Sequence, residues 1–158
     1  MELENPKGAH YILRKVGEHK INKKYLWLAV AIIWCVAIYL AASSPSATGG
    51  NTGILIQQLF QLTDSQAVFV NVVFRKFVHL SAYGLLAILF YNGFEQKKLW
   101  LAWLLTTIYA ITDEIHQAFL PDRTGAIFDV GLDSIGALLA LFGLIYIKKK
   151  QQQHMNRS

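Results

Sequence analysis

The run from Tyr25 to Ala42 holds 18 residues without a charged side chain. At about 1.5 Å per residue it makes a helix of roughly 27 Å, close to the hydrocarbon thickness of a bilayer. A helix in a soluble core rarely stays apolar on every face for so long. A cleaved leader peptide fits poorly, because 24 residues precede the run and the run exceeds the usual roughly 7–15 apolar residues. A retained signal anchor is expected. The rest of the chain agrees: 54% of its 158 residues are hydrophobic and 16% are charged, against roughly 25% charged in soluble domains. This composition excludes a disordered chain, and the length suits one domain.

Three further spans are expected. The second runs from Phe77 to Phe94, its helix beginning near Ala67; the third runs from Leu99 to Leu120 and the fourth from Ala126 to Ile147. Trp27, Tyr91, Trp100 and Tyr146 lie near span ends, where aromatic side chains favour the membrane interface. Ser43 to about Gln66 is an outer connection. Ser43, Ser44 and Ser46 are read as turn or capping residues and Gly49-Gly50-Asn51 as loop, with a short interfacial helix over Ile54–Leu62.

The net charge is +5, from 15 Lys and Arg against 10 Asp and Glu. Placing the amino terminus in the cytoplasm puts 12 of the 15 basic residues inside and leaves Arg75, Lys76 and Arg123 outside. The positive-inside rule therefore predicts both termini in the cytoplasm. The expected fold is an all-α integral membrane bundle of four transmembrane helices over residues 25–147. It is flanked by a basic cytoplasmic segment (1–24) and a basic, polar cytoplasmic tail (148–158) that is disordered over Gln151–His154. Basic charge beside apolar runs points to a membrane surface, not nucleic acid. The single cysteine, Cys35, excludes an intramolecular disulfide and reads as a small packing residue.

Ionisable residues within a bilayer are costly and default to function. In span two, Arg75, His79 and Tyr83 follow i, i+4, i+8 and form one stripe, with Lys76 about 20° from Tyr83 at 100° per residue. In span three, Thr106, Tyr109, Asp113 and Gln117 share a face with Glu114 on its shoulder. In span four, Asp129 and Asp133 stack above Gly136, Ala140 and Gly143, a small-residue face suited to helix packing. These clusters predict a polar pocket between spans two, three and four, open to the outer leaflet. The same charges could instead pair and lock the bundle without chemistry. His79 suits a general base or a hydrogen-bonded packing residue, and His116, about 60° off the Asp113 stripe at 100° per residue, reads as structural. His79, Asp113, Glu114, Asp129 and Asp133 offer metal-ligand types. They lack a recognised ligand spacing, so neither metal nor cofactor is expected.

The segment Arg75-Lys76-Phe77-Val78-His79-Leu80-Ser81-Ala82-Tyr83 resembles the first motif, R-K-x-x-H-x-x-x-Y, of the VanZ-like membrane proteins. Asp113-Glu114-Ile115-His116-Gln117 is similar to their D-E-x-x-Q motif, and Pro121-Asp122-Arg123 followed by Asp129 to their P-G-R and D-x-x-x-N. Ser43-Ser44-Pro45 fits as well, and the likeness spans about residues 25–147. Asp122 stands where glycine is usual, and Asp133 where Asn is usual, which adds an acid to the site.

The resemblance implies a small multi-pass protein of the bacterial cytoplasmic membrane, in a family named for resistance to the glycopeptide teicoplanin. Three functions are weighed. One is a binding or shielding protein for an envelope ligand, in which Arg75, Lys76, Tyr83, Gln117, Arg123, Asp129 and Asp133 line the ligand site. Another is a membrane-embedded hydrolase or transferase on a lipid-linked envelope substrate. There His79 or Glu114 would be the general base, Asp113 would orient a partner, and Arg75 and Arg123 would hold an anionic headgroup. The third is a scaffold with a purely structural ion network. The partners to expect are membrane lipid and either a lipid-linked envelope precursor or a glycopeptide; the sequence sets no oligomeric state.

Overall fold

The computed structural model describes residues 22–45, 48–94, 98–120 and 125–157. The basic leader before Asn22, and Ser46, Lys97, Asp122 and Arg123, lie outside the described residues. Within the described residues the protein is five α-helices and no strands: α1 (Lys23–Ser43), α2 (Gly49–Phe60), α3 (Asp64–Gly93), α4 (Leu99–Ala118) and α5 (Ile127–Met155). Three of them, α1, α3 and α5, are long and apolar enough to cross a membrane. Helix α4 has 20 residues, but Asp113, Glu114, His116 and Gln117 interrupt its apolar run near the carboxyl end.

Local chemistry explains most boundaries, including three that differ from expectation. Asn22 caps α1 by accepting the Lys24 N–H at 3.3 Å. Gly49-Gly50-Asn51, expected as loop, forms the first turn of α2. Thr48 provides its N-cap, and Asn51 is held by Nδ2–H donation to the Pro45 carbonyl at 2.8 Å. Gln61 ends α2 in the left-handed region (φ 51°). The chain reverses there into α3, whose start is fixed by the Thr63 N–H donating to the Gln66 side chain at 3.1 Å. Helix α3 therefore begins at Asp64, a turn before the expected start near Ala67. At the far end the Gln151–His154 segment, expected to be disordered, continues α5 to Met155. Lys and Gln are good helix formers, and extending an existing helix avoids the nucleation cost that makes isolated polar segments unstable.

Helix α3 is central and packs against each of the other four helices. Its closest approach is to α5. A Cβ on Gly136 would lie 2.9 Å from the Leu80 carbonyl oxygen, and one on Gly84 would lie 3.0 Å from the Ala140 side chain. Small residues let the two backbones meet. Gly143, expected on the same face, would meet nothing within 4 Å, so the close approach does not extend that far. Polar cross-links fix the other helices: Trp34 Nε1 donates to the Ala82 carbonyl at 3.0 Å, Tyr109 to the Cys35 carbonyl at 2.6 Å, and Trp103 Nε1 to Ser134 at 2.9 Å. Tyr91 is buried, with the Lys148 ammonium over its ring, while Trp100 and Tyr146 stay exposed.

Burial is inverted relative to a soluble protein. Ile32, Ile33, Leu40, Leu139 and Phe142 are exposed, whereas Thr106, Asp113, Glu114, Gln117 and Asp133 are buried. Without lipid around it, such a surface would be a large aggregation patch. With lipid, the apolar face is solvated and the polar residues are turned away from it, inside the bundle.

Candidate functional site

The polar stripes of α3, α4 and α5 meet in one region. Four contacts organise it. The Tyr83 hydroxyl donates to Asp113 Oδ2 at 2.6 Å, and Gln117 Nε2 donates to the same oxygen at 2.9 Å. His79 Nδ1 lies 3.6 Å from Asp133 Oδ2. Lys76 forms an ion pair with Asp129. Each links residues that are 3 or 4 apart on a helix, or that face across a helix pair, as the stripes require.

Glu114 is reached differently. Its Oε2 accepts the backbone N–H of Ala126 at 2.9 Å, which ties the entry of α5 to the end of α4. Gly125 permits this return, since a Cβ there would collide with the Glu114 carbonyl. The result brings His79, Glu114 and Asp133, one residue from each of three helices, within 4.8 Å of one another by their ligand atoms. Asp133 is 1% exposed and Glu114 6%. His79 and Glu114 thus group with Asp133, while Asp113 faces Tyr83 and Gln117.

Two cavities flank this cluster. One, of about 370 Å³, is lined by Arg75, Lys76, His79, Gln117, Asp129 and Asp133 among others. The second, of about 320 Å³, has a largely apolar wall from α1 and α3, including Ile38, Phe74 and Val78. Arg75, His79 and Gln117 border both. The chemistry available is cationic recognition from α3, proton transfer or ligation at His79 and the acids, and an apolar slot beside them.

Of the expected site residues, the structure brings together Arg75, Lys76, His79, Tyr83, Asp113, Glu114, Gln117, Asp129 and Asp133; Arg123 is outside the described residues. His116 packs as expected for a structural residue, its ring stacked on Tyr39 with centroids 4.2 Å apart. Tyr109, placed on the Asp113 face by the helical wheel, turns its hydroxyl to α1 instead. The sequence reading missed Asn71, Thr52 and Gly49. Asn71 Nδ2 donates to the Gly49 carbonyl at 2.7 Å, and Asn71 Oδ1 accepts the Thr52 hydroxyl at 2.8 Å. These bonds hold α2 against α3 beside the larger cavity. Gly49 leaves room for the guanidinium: a Cβ there would lie 3.1 Å from Arg75. Asn71 stands four residues before Arg75, one more step along the same stripe, so the periodicity carried the signal.

A helical bundle with a lipid-suited exterior, buried acids and, beside them, a half-buried histidine and a Lys76–Asp129 ion pair has the character of a membrane protein with a polar interior. The sequence model of the VanZ/LLP1 family matches residues 25–148, and the chain belongs to that family. Neither a curated protein nor a solved structure matches it.

Proposed function

We propose that the chain crosses the bacterial cytoplasmic membrane four times with both termini inside, and that its cavities open to the outer leaflet and bind the anionic headgroup of an envelope lipid. Helix α4, the third span in chain order, would complete the four crossings. Its 20 residues span about 30 Å, and its acids are buried against α3 and α5, away from lipid. The placement of 12 of 15 basic residues supports the orientation.

The observation that carries the binding reading is the cavity of about 370 Å³ with Arg75 and Lys76 on its wall and a mainly apolar cavity beside it. A phosphate-bearing headgroup suits the guanidinium, which offers a planar fork of donors. Its hydrocarbon tail suits the apolar slot. Occupation of a lipid-linked precursor by such a protein would reduce a glycopeptide's access to it, which is how a teicoplanin-resistance role would follow. The expected result is that a host expressing wild-type protein is less susceptible to teicoplanin than one expressing His79→Gln at matched membrane levels. Equal susceptibility would remove the resistance role.

The convergence of His79, Glu114 and Asp133 favours a second reading, a hydrolase or transferase acting on the same lipid. Incubating purified protein with a lipid-linked envelope substrate separates the two. Binding without a released product supports the first, and turnover that fails in Glu114→Gln supports the second.

A further inference from the structure

We infer that His79, Glu114 and Asp133 form a binding site for a single divalent cation. The three side chains come from α3, α4 and α5, and their ligand atoms lie within 4.8 Å of one another. Donors bound to a common ion at about 2.0–2.2 Å sit closer together than that, so side-chain adjustments of about an ångström complete the site.

The second observation is Asp133 itself. It is 1% exposed, and neither of its carboxylate oxygens accepts a hydrogen bond within the described residues. Its nearest cationic candidate, His79 Nδ1, is 3.6 Å away and is also without a hydrogen bond. A buried carboxylate in this state is strongly penalised unless it takes up a proton or a cation sits on it, and a site shared with a second acid favours the cation. Among the described residues, no side chain donates a hydrogen bond to either Asp133 oxygen, and the nearby acids add to the negative charge. Asp113, Glu114 and Asp133 are all buried acids, and Lys76 is engaged by Asp129. A divalent ion would answer the excess negative charge and the orphaned oxygens together.

Glu114 remains able to ligate, because the Ala126 N–H occupies one oxygen of its carboxylate and leaves the other. That backbone contact also fixes the carboxylate's orientation, as supporting shells around metals do. One imidazole and two carboxylates make a mixed N/O set suited to Mn²⁺ or Zn²⁺. Three protein ligands leave coordination positions for an oxygen from outside the protein. His79 and Asp133 also line the cavity with Arg75, so a phosphate oxygen there could bridge the ion and the guanidinium. That last step rests on the headgroup reading; the ion site does not.

The ligands lie 35 and 54 residues from His79 along the chain, so no short spacing announces them. Asp133 is moreover the acid that stands where the family pattern has Asn.

The test uses the full chain in detergent, stripped with chelator and titrated with Mn²⁺ alone, without lipid. We expect one equivalent bound, with an imidazole nitrogen coupling in pulsed electron paramagnetic resonance. Asp133→Asn should weaken binding at least tenfold, and His79→Gln should abolish the nitrogen coupling. The folding control is an unchanged gel-filtration profile and helicity. Binding no greater than a detergent blank, or bound Mn²⁺ without nitrogen coupling in wild type, overturns the site even if every variant misfolds. Because no lipid is present, failure here leaves the headgroup reading standing. Failure of headgroup binding in turn leaves the ion result untouched.

Discussion

The Tyr83 hydroxyl donates to Asp113 at 2.6 Å across the interface of α3 and α4, and both residues are buried. Gln117 donates to the same oxygen from one turn along α4. A carboxylate with two donors on one oxygen is held in a single orientation, and that orientation sets the wall of the smaller cavity.

Tyr83→Phe keeps the ring packing and removes the donor. The loss should destabilise the fold by about 1–3 kcal/mol, the range for leaving a buried acceptor short of a partner. Thermal unfolding in detergent measures it, and an unchanged midpoint would show that Asp113 does not need this bond.

Gly136 lies where α3 and α5 meet most closely. Gly136→Val should force the helices apart and lower stability by about 1–3 kcal/mol or more, as overpacking does. Gly143→Ala, with open space around it, is the matched control and should leave folded yield unchanged. Equal yields for both variants would contradict the packing.

Asn71 bonds to both Gly49 and Thr52, and α2 buries none of its residues fully. Asn71→Ala should release α2 from α3. Hydrogen exchange would then quicken in the amides of α2 while those of α5 keep their protection. Unchanged exchange in α2 would mean that apolar contact alone holds it.

The orientation is tested by reporter fusions at the carboxyl terminus. Four crossings with an inside amino terminus predict a fluorescent cytoplasmic reporter and an inactive alkaline phosphatase at Ser158. An active phosphatase there would contradict the inside carboxyl terminus, through either an odd number of crossings or an inverted bundle.

Much of this was legible in the sequence, for identifiable reasons. An uncharged run of bilayer length announces α1, and the i, i+4, i+8 stripe of Arg75, His79 and Tyr83 places one wall of the site before any packing is known. Helical periodicity gives the face of each helix; it does not give the rotation or height of one helix against another. Those are set by the contact of Gly136 with Leu80 and the return of Ala126 to Glu114. This is why His79 meets Asp133 in the structure while Asp113 meets Tyr83. Local composition misled in two places. Gly49 and Gly50 look like loop until Thr48 caps them, and the Gln151–His154 tail looks disordered until α5 runs into it.

The most direct measurement is headgroup binding by the purified full chain in lipid nanodiscs, comparing a polyisoprenyl phosphate with the corresponding uncharged alcohol. The account predicts that the phosphate binds, that the alcohol binds far more weakly, and that Arg75→Gln weakens phosphate binding about tenfold, equivalent to roughly 1.4 kcal/mol. Equal binding of phosphate and alcohol by the wild-type protein, or phosphate binding indifferent to Arg75→Gln, would contradict it.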